Sequence, residues 1–122
     1  MKTKITIIAV LLVIPLLLVS SLVMASTFTE CKGMILVLKG ETEAVEIGGQ
    51  NSEKTLDGLL SKLDGALIKL DQAKFYDAIQ KLTDYRDKIL VLATQGKMAQ
   101  ANADNLVAEA NNSIACIANI GL

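Results

Sequence analysis

The stretch from Ser52 to Gln72, SEKTLDGLLSKLDGALIKLDQ, decides the fold. Leucine recurs in it at spacings of three and four residues, which places the leucines on one face of an α-helix. A triplet of Leu, Asp and then Gly or Gln also repeats every seven residues. The stretch therefore predicts an amphipathic helix, with Gly58 and Gly65 forming a smooth stripe that a neighbouring element can approach closely. The leucines on the predicted face are Leu56, Leu59, Leu60, Leu63, Leu67 and Leu70.

Two further segments continue the helical period toward the C-terminus. The first covers residues 75–93 after a turn at 71–74, and Gly96 is a good stop because glycine accepts the left-handed conformation after a helix end. The second begins near residues 99–101, and its apolar positions run from 103 to 117. Three helices with short connections predict a mainly α fold, a three-helix up-down-up bundle over residues 51–122. Apolar positions in these two segments include Phe75, Ala78, Ile79, Leu82, Tyr85, Ile89, Leu92, Ala103, Leu106, Ala110, Ile114 and Ile117.

Residues 26–50 carry a different pattern from the segments that follow. An apolar run at 34–38 lies between Gly33 and Gly40, and residues 44–47 run into a second pair of glycines. Two short apolar segments flanked by glycine predict a β-hairpin or extended segment. An apolar run of five residues can also be helical, because periodicity alone does not distinguish the two over so short a length.

The first 25 residues have the order of a secretory signal peptide. A basic start at residues 1–4 precedes an apolar run at 5–19, and small or apolar residues at 23–25 end the segment. This order predicts export, cleavage after Ala25 and a secreted or cell-surface location. The alternative is an uncleaved anchor, because residues 5–24 approach the ~20 residues that span a bilayer.

The chain has two cysteines, Cys31 and Cys116. An even number of cysteines in an exported chain predicts a disulfide, and the bridge would close a long loop of the folded domain. The alternative is a pair of buried free thiols.

The order of core residues along the three predicted helices is similar to that of a known family. A leucine helix and a short turn precede Ala78-Ile79 and Leu82, Tyr85 is followed by Ile89, and Gly96-Lys97-Met98 precedes the helix from Ala103. In this order residues 56–118 resemble the FIMAH domain, a small helical module of secreted and surface proteins of bacteria. The resemblance implies a helical fold and an exterior location, and it implies no particular activity.

The amino-acid composition excludes several kinds of catalytic and metal site. The sequence contains no His, which excludes Ser-His and Cys-His nucleophile pairs and His-ligated zinc. Asp57, Asp64 and Asp71 would lie about 10 Å apart along a helix, too far to share a metal or a proton. Asp84 and Asp87 are closer and could hold a weak hydrated cation. We therefore expect solvated carboxylates, with no catalytic site, no metal and no cofactor.

Charge and aromatic content narrow the choice of partners. Without Lys2 and Lys4, the 12 basic residues become 10 against 13 acidic residues, a net charge of −3. This balance provides no basic face for a phosphate backbone, so nucleic acid is a poor partner. Two Phe and two Tyr are too few for stacking platforms. Contact with a membrane is expected only through an uncleaved signal segment.

These observations favour a secreted, disulfide-stabilised helical bundle that acts as a non-catalytic interaction or structural module. Its partner would be a protein, a cell-surface component or a second copy of the chain. The predicted contact surface combines the acidic hairpin residues Glu41, Glu43 and Glu46 with Gly58 and Gly65 of the leucine helix. A small secreted enzyme inhibitor is the alternative, and an enzyme that uses Asp and Glu alone is a third hypothesis.

Overall fold

The computed structural model describes residues 27–121, so the predicted signal peptide, residues 1–25, lies outside the described residues. The described part contains four helices and no strand. The helices are α1 at residues 27–44, α2 Ser52–Asp71, α3 Phe75–Thr94 and α4 Gln100–Gly121. None of the helices within the described range is long and apolar enough to cross a bilayer.

Every helix buries one seam whose residues alternate at spacings of four and three. This heptad-like spacing keeps one face of each helix turned toward its neighbours and is typical of left-handed helix bundles. Together with Met98 of a loop, 17 apolar or tyrosine side chains are buried, each at 4% exposure or less. Thr42 and Ser113 are buried among them. The buried seam positions are Cys31, Ile35, Leu38 and Thr42 in α1; Leu59, Leu63, Ala66 and Leu70 in α2; Ala78, Leu82, Tyr85, Ile89 and Leu92 in α3; and Ala103, Leu106, Ala110, Ser113 and Ile117 in α4.

Consecutive helices run antiparallel. α2 packs on α3, and α3 packs on α4. Lys32 Nζ of α1 lies 2.9 Å from Asp71 Oδ1, and Lys39 Nζ lies 2.8 Å from Asp64 Oδ1, so α1 runs against α2 in the opposite direction. The two lysines are seven residues apart, as are the aspartates in the repeat of α2. Two of the three repeated aspartates therefore serve as surface ion-pair partners.

The prediction of an N-terminal hairpin in residues 26–50 is wrong, because residues 27–44 form α1. The fold is accordingly a four-helix bundle and not a three-helix one. Two of the seam positions of α1 are Cys31 and Thr42, so its apolar period is interrupted and only the run at 34–38 stands out. Leu36 and Val37 of that run are 53% and 58% exposed, which a helix permits and a buried strand would not.

The connections agree with the predicted turns. α3 begins at Phe75, as the sequence predicts, and α2 ends at Asp71, the first residue of the predicted turn. Gly96 has a φ of 71° after α3, which confirms the left-handed residue expected there. The segment between α1 and α2 is hydrogen-bonded to the loop after α3: the Gly48 amide donates to the Lys97 carbonyl oxygen at 2.7 Å.

Candidate interaction surface

A disulfide between Cys31 and Cys116 joins α1 to α4, which confirms the predicted pairing. The two Cα atoms are 5.6 Å apart, and Cys31 is fully buried. Residue 31 lies in the first part of α1 and residue 116 in the last part of α4, so these helices are also antiparallel. The covalent link fixes their separation and hence the shape of the surface between them.

A buried hydroxyl pair ties α1 to α3 across the core. Thr42 Oγ1 donates its single proton to the Leu38 carbonyl oxygen at 2.7 Å, so Tyr85 Oη is the donor in its 2.7 Å hydrogen bond with Thr42 Oγ1. Burial raises the pKa of Tyr85 to about 12, and the nearby Glu109 and Glu41 carboxylates add to the rise. Tyr85 is thus a structural hydroxyl that stays protonated at neutral pH.

A groove runs along the outside of α1 and α4. Its volume is about 640 Å³, a size in the range of ligand and peptide sites. Gly33 contributes no side chain, and no described atom beyond its own stretch of helix lies within 4 Å of where its Cβ would be, so the groove is open there. We call this the α1–α4 groove, and it is lined by Glu30, Gly33, Met34, Val37, Glu109 and Asn112.

Glu109 is the unusual residue of the α1–α4 groove. Its Oε2 atom is buried and accepts no hydrogen bond from the described residues. The adjacent carboxylate of Glu41 is held by Asn105 Nδ2, which donates to Glu41 Oε2 at 3.2 Å. Burial raises the pKa of Glu109 to about 7, and Glu41 adds to the rise by hydrogen bonding to the protonated form and by repelling the charged one. In the described part of the chain, Glu109 therefore forms no ion pair with a Lys or Arg.

The raised pKa of Glu109 predicts that stability falls as pH rises. The folded protein holds a proton on Glu109 from its ordinary pKa of 4.5 up to about 7, whereas the unfolded chain releases it. The free energy of unfolding should therefore decrease between pH 4.5 and 7, by on the order of 1–2 kcal/mol after allowing for solvent screening. Glu109→Gln should remove this decrease, as measured by urea denaturation across that range. Glu53→Gln, at an exposed position of α2, is the matched control and should keep it. Equal pH slopes in the two variants would contradict the assignment.

α4 differs from the other helices in its charged residues. α4 contains no Lys or Arg, and its outward positions repeat Ala and Asn every seven residues. All six of these positions are exposed, and they are Ala101, Ala108, Ala115, Asn105, Asn112 and Asn119. Lys32 and Lys39 of α1 are engaged with α2. The surface shared by α1 and α4 is consequently small-residue, amide-rich and acidic.

The residues predicted as one contact surface are distributed over three grooves. Glu41 and Glu46 line a groove of about 340 Å³ between the end of α1 and the start of α4. Glu43 and Gly65 share a groove of about 580 Å³ with Lys39 and Lys81. Gly58 lines a third groove, of about 320 Å³, beside Lys62 and Lys88. The structure therefore brings together two pairs of these residues and leaves Gly58 apart from both.

The aspartates considered above are placed on the outside of the bundle. Asp64 and Asp71 pair with lysines of α1, and Asp87 Oδ1 accepts hydrogen bonds from Arg86 Nε at 3.3 Å and Nη2 at 3.2 Å. Within residues 27–121 there is no group of three or more Cys, Asp or Glu side chains arranged to hold a metal ion.

Sequence reasoning did not find the α1–α4 groove. Met34 and Val37 lie in the segment that the sequence predicts as a hairpin, and the sequence analysis makes no prediction for Glu109 or Asn112. One signal was available: the seven-residue repeat of Ala and Asn along α4, which marks an outward face with few charges. Comparison of the chain with protein-family models, with curated proteins and with solved structures finds no match to any of them.

Proposed function

We propose that this chain is an exported, non-catalytic interaction module that binds its partner through the α1–α4 groove. The observation that carries the proposal is the groove itself, with Met34 and Val37 apolar and partly or largely exposed, and with no basic residue among those that line it. Exposed apolar surface next to unpaired polar groups is typical of protein contact sites. Because the four helices pack against each other, a partner would contact the outer surface of the bundle.

The disulfide supports the exported location. Disulfides persist in oxidising compartments, and the N-terminal residues 1–25 have the order of a signal peptide. The resemblance to FIMAH domains is consistent with the same location and stays a prediction. α1 lies before the residues that carry this resemblance, so four of the six residues that line the groove come from outside them.

The bundle provides a rigid surface for a partner to bind. Cys31 and Cys116 fix α1 against α4 on one side, and the ion pairs of Lys32 and Lys39 hold α1 to α2 on the other. A preorganised groove loses little conformational entropy on binding. This property also suits an enzyme inhibitor, and inhibition of a secreted hydrolase would identify that more specific role.

Matched surface variants test the proposal. Val37→Asp places a charge in the α1–α4 groove, whereas Leu90→Asp places the same charge on α3; the two native residues are 58% and 45% exposed. In capture experiments with the exterior fraction of the producing cell, Val37→Asp should lose the partner at least tenfold and Leu90→Asp should retain it. Loss of capture in both variants, or in Leu90→Asp alone, would reject the groove as the contact site.

A further inference from the structure

The residues that line the α1–α4 groove also indicate the chemistry of the molecule that binds there. We infer that the groove binds a basic amphipathic helix of a partner protein, with apolar residues against Met34 and Val37 and a Lys or Arg directed at Glu109. The inference rests on the proposed function, because it specifies the partner class for the same surface.

Charge complementarity is the first argument. Glu30 and Glu109 line the groove and Glu41 adjoins it, while neither the lining residues nor α4 includes a Lys or Arg. Three aspartates elsewhere on the bundle are paired with cations, Asp64 with Lys39, Asp71 with Lys32 and Asp87 with Arg86. A partner therefore has to supply the positive charge that the described part of this chain does not place there.

The unmatched carboxyl oxygen is the second argument. Glu109 Oε2 is removed from water and accepts no hydrogen bond from the described residues, and Glu41 hydrogen-bonds only to the protonated form of Glu109. The charged form of Glu109 therefore lacks a donor. Leaving an acceptor unsatisfied in this way costs about 1–3 kcal/mol, and more when the group is charged. A guanidinium or ammonium group from outside would satisfy this oxygen and would reduce the repulsion between Glu109 and Glu41.

The shape of the groove favours a helix. The lining residues of α1 span 30–37, and Glu41 extends the acidic edge, which corresponds to ~16 Å or three helical turns at 1.5 Å per residue. Residues 27–121 contain no strand and hence no sheet edge to which an extended peptide could add. An amphipathic helix laid into a groove is a recognition mode that fits a surface formed by two helices.

A second copy of this chain is a poorer occupant. Placing two α1–α4 grooves together would bring Glu30, Glu41 and Glu109 of one copy near those of the other, with no basic residue of α4 between them. Like charges brought together in an interface cost free energy and select against the wrong partner.

The test uses two synthetic helical peptides of about 14 residues, ~21 Å long, one built from Leu and Lys and the other from Leu and Glu. Each is titrated into the full chain labelled with 15N, and amide shifts report the position of binding. The Leu/Lys peptide should shift amides of residues 30–41 and 105–112, and the Leu/Glu peptide should not bind. The double variant Glu30→Gln/Glu109→Gln should weaken binding of the Leu/Lys peptide about tenfold, consistent with two partly screened charge pairs.

A double variant outside the groove, Glu43→Gln/Glu53→Gln, is the matched control and should leave the affinity unchanged. Equal binding of both peptides, shifts confined to α2 and α3, no binding, or equal weakening by the two double variants would each overturn the inference. Failure of the peptide together with loss of native capture by Val37→Asp would reject only the basic helix. Failure of both experiments would reject the interaction surface as well.

Discussion

Ile35→Ala should lower the free energy of unfolding by ~2–5 kcal/mol, the range for removing a large aliphatic side chain from a packed core. Ile35 is fully buried in the seam of α1, between Cys31 and Leu38. The truncation leaves a cavity that the neighbouring helices can fill only in part. Chemical denaturation followed by helical circular dichroism measures the loss.

Leu36→Ala is the matched control for this change. Leu36 is the next residue in the chain and is 53% exposed, so its truncation should alter stability by about 0.5 kcal/mol or less. The pair tests whether Ile35, and not Leu36, faces the core. Equal losses in the two variants would mean that α1 is not packed through the Cys31–Ile35–Leu38 seam.

Removal of the disulfide should have an effect of similar size. The bridge joins residues separated by 85 positions, and loop entropy for that length predicts a stabilisation of about 4.6 kcal/mol. We expect the double variant Cys31→Ser/Cys116→Ser to lose ~2–4 kcal/mol, since measured values usually fall below the entropic estimate. Replacing both cysteines avoids a free thiol that could pair with another molecule.

Reduction provides the control for the double serine variant. A reducing agent should lower the stability of the native chain by nearly the same amount and should leave the variant unchanged. The helical signal of the folded variant should persist, because the seams of α1–α4 do not depend on the bridge. A loss below about 0.5 kcal/mol would show that the bridge adds little to the packing already present.

The three C-terminal helices could be predicted because their seams are almost wholly apolar. Leu59, Leu63 and Leu70 alternate at the helical period, and Leu82, Ile89 and Leu92 do the same in the next helix. The first helix could not be predicted in this way. Its seam includes Thr42, whose hydroxyl is satisfied by Leu38 and Tyr85, and that partner lies 43 residues further along the chain.

The predicted contact surface depended on a segment assigned to the wrong secondary structure. In a hairpin Glu41, Glu43 and Glu46 would share one acidic element, but at the end of a helix Glu41 and Glu43 point toward different neighbours. The meeting of Glu41 with Glu109 is a tertiary relation that no local spacing reveals. The pairing of the cysteines was predictable because only one pair could form within the chain.

The claim that the α1–α4 groove is a contact surface is tested most directly by photo-crosslinking in the producing cell. A photoreactive residue placed at Val37 reports on the groove, and the same residue at Leu90 reports on α3, at positions 58% and 45% exposed in the native chain. We predict one discrete crosslinked product from position 37 and none from position 90. Crosslinking from position 90 to the same extent, or no product from position 37, would contradict the proposed function.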